Sequence, residues 1–344
     1  HPQALDSLEI GSVILLENGL MKIEVISKEE DGVTCKIVVG GVLGNKKSLA
    51  VPGVHLDIPF ISEDDREDII YACQHEGDFL ALSFVSTRED VLACKEILKQ
   101  YNREDLKIIS KIESTTGIEN LDSIIEESDG IMVARGDLGV EVPMEQLPVV
   151  QKMIIQKCRE YGKTVIVATE MLESMKKSAR PTRAEVSDVA NAVLDGTDAV
   201  MLSGETTIGK YPVETVIAME KILESAEHDI EYTEFIDKAL KTENKDITGL
   251  IAHSVTDAAL YLKCKAIFTP TMSGYTARKI SRFRPYCPII AASPDIETVK
   301  SLQLYFGVYP ILINEPKTID REIELSKKHI KDKIDINPKD KYII

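Results

Sequence analysis

The sequence holds no run of about 18 uncharged apolar residues, so it offers no segment of the length a bilayer-spanning helix needs. It opens His1-Pro2-Gln3, with neither Met nor a secretory signal, which points to a processed, cloned or trimmed start. Basic charge is in deficit: 41 Lys and Arg face 57 Asp and Glu, for a net charge of -16. That disfavours a nucleic-acid reader, which needs a basic footprint to displace counterions. It leaves room for an anionic metabolite, because a metal ion or a few focused cations can reverse the local field. The six cysteines (Cys35, Cys73, Cys94, Cys158, Cys264 and Cys287) form no C-x-x-C pair and read as reduced thiols in a cytosol-like compartment. The histidines show neither H-x-H nor H-E-x-x-H spacing, which argues against zinc. Long internal repeats and low-complexity tracts are absent as well.

What is present is an ordinary globular composition. The chain has 344 residues, 44% of them apolar, enough for two or three domains. Residues 1–58 carry short alternating runs, Ser12–Leu16, Met21–Ile26 and Val33–Val39, punctuated by Asn18-Gly19 and Asp31-Gly32. Such dipeptides between strand-like runs predict hairpins, hence a small antiparallel β-module. From 59 to 228 the grammar changes. Apolar runs at Phe79–Val85, Lys107–Glu113, Gly130–Arg135, Thr164–Thr169 and Ala199–Ser203 alternate with amphipathic segments at a βα period. Continuous apolar strands imply a parallel sheet buried on both faces. From 229 to 344, helices at 247–263, 275–284, 295–305 and 320–333 alternate with strands at Ala266–Thr269, Pro288–Ala292, Tyr309–Ile313 and Lys341–Ile344. That pattern predicts a separate three-layer α/β domain.

Each central apolar run ends in polar residues: Ser83; Lys111 and Glu113; Arg135, Gly136 and Asp137; Thr169 and Glu170; Ser203, Gly204 and Glu205. One such cluster can be a mere strand terminator. Five in register point to a shared mouth, because a parallel barrel builds its active site from the C-terminal ends of its strands. Lys111 and Glu113 lie two apart and face the same way, as a site or as a plain ion pair. Gly136 lets the backbone approach a ligand, and free N–H groups there can hold a carboxylate. Glu113 and Asp137 are two hard oxygen donors, suited with substrate oxygens and water to magnesium.

Longer strings make the pattern specific. Lys107-Ile-Ile-Ser-Lys-Ile-Glu113, Gly130-Ile-Met-Val-Ala-Arg-Gly-Asp-Leu-Gly-Val-Glu141, Ala168-Thr-Glu-Met-Leu-Glu-Ser-Met175, Arg180-Pro-Thr-Arg-Ala-Glu185, Asp188-Val-Ala-Asn-Ala-Val-Leu-Asp-Gly196 and Met201-Leu-Ser-Gly-Glu-Thr206 resemble the pyruvate kinase family. The resemblance spans essentially the whole chain, including Leu43-Gly-Asn-Lys-Lys47 and Val51-Pro-Gly53. It implies an α/β fold: a (β/α)8 TIM-barrel domain of which five βα units are present (59–228), the second half of a small β-barrel lid (1–58), and a C-terminal regulatory and oligomerisation domain (229–344).

The resemblance also implies transfer of phosphate from phosphoenolpyruvate to ADP, giving pyruvate and ATP. Lys111 then matches the lysine that neutralises the phosphoryl group in flight, and Glu113 and Asp137 match the ligands of Mg2+ or Mn2+. Arg135, Gly136, Asp137 and Ser83 fall among the substrate-binding positions, and Thr169 stands beside the enolate where a proton must reach C3. Ser203 and Glu205 line or brace the site, and Lys47 resembles a lid lysine near the nucleotide. Thr271, Ser273, Gly274 and Thr276 fall where many members bind the phosphate of a sugar-phosphate activator; an N-cap and loop is the alternative there. A cytoplasmic homotetramer is expected, with no nucleic-acid or membrane partner. Potassium is expected too, but its family ligands lie in strands outside this sequence, as do three barrel units and the first half of the lid. Two alternatives stand beside this reading. One is a truncated, inactive fragment that keeps only effector or partner binding. The other is a different magnesium-dependent, pyruvate-handling barrel enzyme.

Overall fold

The computed structural model describes residues 6–17, 19–29, 32–45, 47, 49–54, 59–242, 247–314 and 339–344. The chain divides into two compact units. One comprises His1–Ile155, Ile166–Glu185 and Met201–Val216; the other comprises Gln156–Val165, Val186–Val200 and Ile217–Ile344.

The alternating N-terminal runs become β1 (Val13–Leu16), β2 (Met21–Glu29), β3 (Gly32–Val39) and the short β4 (Leu49–Ala50). They form one antiparallel sheet in the order β3-β2-β1-β4. Its apolar face closes over Leu8, Ile14, Val25 and Val51. Gly32 pairs with Glu29 and is already strand, so β2 and β3 are antiparallel neighbours as the Asp-Gly signal predicts.

The central region runs α1 (Glu63–Gln74), β5 (Phe79–Leu82), α2 (Arg88–Gln100), β6 (Lys107–Ile112), α3 (Thr115–Glu119), α4 (Leu121–Glu127), β7 (Gly130–Ala134) and α5 (Arg135–Glu141). It continues through α6 (Leu147–Tyr161), β8 (Thr164–Ala168), a 3-10 turn at Glu173–Lys176, α7 (Arg183–Asp195), β9 (Ala199–Met201), α8 (Gly204–Thr207) and α9 (Pro212–His228). The five strands lie in the order β5-β6-β7-β8-β9, and β5, β6 and β7 pair in parallel. Every residue of β7 and β8 is buried, as a sheet covered on both faces requires. Capping boxes at Ser62 and Thr87 start α1 and α2. The Arg103 guanidinium closes the far end of α1 by donating to the carbonyls of Cys73, His75 and Gly77 at 2.8–2.9 Å.

All five central strands stop short of their apolar runs, and at three of them the backbone leaves the extended region. Phe84 and Thr169 take positive φ (54° and 68°), and Ser203 leaves the strand with ψ -99°, so the backbone turns where the polar cluster begins.

The C-terminal region holds α10 (Tyr232–Thr242), α11 (Ile247–Leu262), β10 (Ala266–Pro270), α12 (Tyr275–Arg282), β11 (Ile289–Ser293), α13 (Ile296–Ser301), β12 (Val308–Leu312) and β13 (Tyr342–Ile343). Its sheet is parallel, ordered β12-β11-β10-β13. Alternate residues face opposite ways. Ile267, Ile289 and Ala291 pack with Ala252, Ala277 and Ile280 of the helices, while Phe268, Ile290 and Ala292 pack with Ile311 and Ile313. The helix expected over 295–305 ends at Ser301 and tightens into a 3-10 turn at Leu302–Leu304. The expected helix at 320–333 lies outside the described residues.

Candidate active site

Hydrogen bonds link the strand ends of β5 to β6, β7 to β8 and β8 to β9. Between β5 and β6, Lys111 Nζ donates to Ser83 Oγ at 2.8 Å and lies 2.9 Å from Glu113 Oε1. Glu113 is fully buried, and its Oε2 accepts the Phe84 N–H at 2.6 Å. Oε1 meets Lys111 as a close charge but has no hydrogen-bond donor in line. Burial pushes the Glu113 pKa up. The Lys111 and Phe84 contacts oppose that, the negative charge of Asp137 adds to it, and the net result stays raised. Glu113 thus pairs with one lysine while a second carboxylate, Asp137, acts on it from nearby. Gly117 holds the two loops together. A Cβ there would lie 2.7 Å from the Val85 carbonyl oxygen, a contact no side chain can make without moving the backbone that carries Phe84.

Between β7 and β8 the contact runs through Thr169. Its hydroxyl accepts the Gly136 N–H at 2.8 Å and donates to the Ala168 carbonyl at 2.6 Å. Arg135 is buried, and its guanidinium donates to the carbonyls of Thr169 and Glu170. Asp137, half-buried in the first turn of α5, is close enough to Glu113 to raise its pKa.

Between β8 and β9, fully buried Glu205 accepts the Leu172 N–H at 3.1 Å and the Ser203 N–H at 2.9 Å. Burial pulls its pKa upward, but backbone donors and the charge of Lys176 outweigh that and hold it below the usual carboxylate value. Glu205 is therefore a saturated brace, the opposite of Glu113. Ser203 offers its carbonyl to the hydroxyls of Thr206 and Thr207.

One supporting residue was not singled out from sequence. Glu185 takes four hydrogen bonds, two each from Ser174 and Thr182, and ties the turn after β8 to α7. The signal for it was the T-x-x-E spacing of Thr182 and Glu185, a capping box. Two groups of expected residues lie outside these links. Lys47 is paired within the lid, 2.6 Å from Glu17 Oε1. Thr271, Ser273, Gly274 and Thr276 form the turn into α12, where Gly274 takes φ 74° and the Ser273 carbonyl accepts from Arg278 at 2.8 Å. The end of the lid is tethered by the Gly53 N–H, which donates to the Glu141 carboxylate.

Among the described residues no three His, Cys, Asp or Glu side chains gather as a metal cluster, and no helix is long and apolar enough to cross a membrane. The six cysteines are free, and five are buried.

A lysine, two carboxylates and backbone amides stand at the C-terminal ends of a parallel sheet, where enzymes of the barrel class build their active sites. Comparison narrows the class. The family profile for the pyruvate kinase barrel domain matches residues 1–216, and that for the pyruvate kinase alpha/beta domain matches residues 250–344. The chain belongs to the pyruvate kinase family. It is 44% identical over 316 residues to a pyruvate kinase of Clostridium acetobutylicum, covering 92% of this chain and 67% of that one. To a pyruvate kinase of Geobacillus stearothermophilus it is 44% identical, covering 95% of this chain and 56% of the relative. A crystal structure of a pyruvate kinase from Cryptosporidium parvum superposes with a TM-score of 0.93 at 40% identity, covering 98% of this chain and 71% of that one. The chain thus spans between about half and two thirds of the length of the curated relatives it matches.

Proposed function

We propose that this chain carries the catalytic strand ends of a pyruvate kinase and transfers the phosphoryl group of phosphoenolpyruvate to ADP, giving pyruvate and ATP. One observation carries the reading. Wholly buried Glu113 has the Lys111 ammonium 2.9 Å away, and the negative charge of Asp137 is close enough to raise its pKa, so two carboxylates share one lysine. A carboxylate pair short of positive charge fits a hard divalent cation, Mg2+ or Mn2+, with Glu113 and Asp137 as protein ligands and substrate oxygens and water completing the shell. When bound, such an ion neutralises phosphate charge and favours the enolate as leaving group.

The chain's own residues do the rest. Lys111 presents a positive charge, oriented by Ser83 and Glu113, to the phosphoryl group as it moves between oxygens. The Asp137 amide, at the start of α5, is offered to the substrate carboxylate, and Gly136 brings the backbone close to it while its own N–H supports Thr169. The Thr169 hydroxyl stands on the Gly136 amide and relays a proton to C3 of the enolate. Lys47 toward the nucleotide, a sugar phosphate on the 271–276 turn, potassium, a homotetramer and a cytoplasmic location complete the proposal. The Gly274 turn supports the second of these, and the unpaired thiols support the last.

The test is pyruvate release from phosphoenolpyruvate in a coupled assay. It is run on this chain and on the polypeptide extended to its relatives' length. Release that needs both ADP and magnesium is expected of the extended form. Its absence there would overturn the proposal, and absence in this chain alone would mark the present sequence as an inactive part.

A further inference from the structure

Thr169 and Glu170 both lie in the left-handed region, at φ 68° and 53°. Glycine or asparagine usually fills such positions. A β-branched residue there is a true outlier, and such a turn persists only when its surroundings over-determine it. One side chain donates to both of the turn's carbonyls. Arg135, 7% exposed, aims its guanidinium at the turn's own backbone. Nε and Nη2 donate to the Thr169 carbonyl at 3.2 and 2.9 Å, and Nη2 also reaches the Glu170 carbonyl at 3.0 Å and Met171 Sδ at 2.9 Å. The next residue along, Gly136, gives its N–H to the Thr169 hydroxyl at 2.8 Å. Two adjacent residues of α5 therefore grip Thr169 from both ends, one at its carbonyl and one at its hydroxyl.

We propose that Arg135 is a positioning residue: its guanidinium holds the Thr169–Glu170 turn in the left-handed conformation that seats the Thr169 hydroxyl on the Gly136 amide. A planar fork holds two successive carbonyls in a fixed geometry, which the freely rotating ammonium of a lysine does not. The inference rests on the proton-relay reading of Thr169. It assigns Arg135 an effect on proton transfer rather than on phosphate or metal binding.

The experiment uses the polypeptide extended to the relatives' length and compares Arg135→Lys with the parent. Two readouts are taken. The first is solvent exchange of the methyl protons of pyruvate in the presence of Mg2+, which isolates the proton step. It is expected to slow by about 10²-fold, the cost of an ångström-scale misplacement, with the KM for phosphoenolpyruvate nearly unchanged. The second is hydrogen exchange at the Gly136 amide, expected to quicken as its acceptor drifts. Adding Glu170→Gly supplies the left-handed backbone without help and should restore both readouts in part. Unchanged exchange in Arg135→Lys, or no recovery in the double variant, would overturn the clamp. So would a double variant that fails to fold. A parent that never exchanges pyruvate protons would sink the proposed function instead, while protection at Gly136 still reports on the clamp.

Discussion

Each unit buries a charged cluster, and the two are built with opposite surpluses. In the first, Glu113 is an acceptor in want of cations: fully buried, one oxygen without an in-line donor, its pKa pushed up by burial. In the second, the acceptor is satisfied. Asp198 takes the N–H groups of Val165 at 2.9 Å and Phe306 at 3.1 Å, and Arg284 Nη1 stands 3.0 Å away as a close charge. There the donors are in excess: Nε of Arg159, and Nε and Nη1 of Arg284, find no hydrogen-bond acceptor in line. Burial, then the neighbouring Arg284, lowers the Arg159 pKa to about 9. Aromatic faces cover the surplus, with Arg159 4.4 Å over Phe235 and Arg284 4.5 Å over Phe306. A surplus of donors closed by rings is architecture. A surplus of acceptor left open beside a lysine is a place for something to bind.

That contrast can be broken at several points. Lys111→Met should cost on the order of 10³-fold in phosphoryl transfer or more, while a magnesium titration still reports binding. Near-normal turnover would remove the lysine from its role. Arg284→Met should leave Asp198 buried with part of its compensation gone, at about 3–5 kcal/mol in a denaturant melt. A loss below about 1 kcal/mol, the size of a solvated pair, would mean the second cluster is wet. Asp137→Asn should weaken magnesium binding by at least about 10-fold, the loss that even outer-shell changes produce; an unchanged titration would count against it as a ligand.

The pH dependence sharpens the comparison next. Glu113 has a raised folded pKa. Its contribution to stability is therefore fully present below the usual carboxylate value and is lost as pH rises through the raised one. Metal-free melts should show that loss in a window starting near pH 4.5, and Glu113→Gln should flatten it. Metal binding should run the other way, strengthening as the carboxyl deprotonates. The smallest effect is reserved for the rings: Phe306→Leu should cost about 0.5–2 kcal/mol through the lost cation–π contact, read by thermal denaturation.

Much of this was legible in the residues. Strands buried on both faces must be continuously apolar, so β6, β7 and β8 announce themselves, and the polar residue that ends each run marks the site. Lys111 and Glu113 were readable as a pair because a strand's period is two. Other parts left little trace. The partners of Arg135 are carbonyl oxygens, which every residue has, so no spacing encodes its grip. The turn at Thr169–Glu170 uses neither glycine nor asparagine and carries no turn signature. Asp198 sits one residue ahead of β9 and is compensated by Arg284 and Phe306, 86 and 108 positions on, which only folding brings near.

Gly117 ends the matter in a different currency. A Cβ there would meet the Val85 carbonyl oxygen at 2.7 Å, and Val85 follows the residue whose amide steadies Glu113. A methyl group at 117 would thus be paid out one loop away, in the aim of a carboxylate that position never meets. Among sequences drifting under selection for that aim, 117 should behave as a one-letter position, while its exposed neighbour Glu119 changes freely.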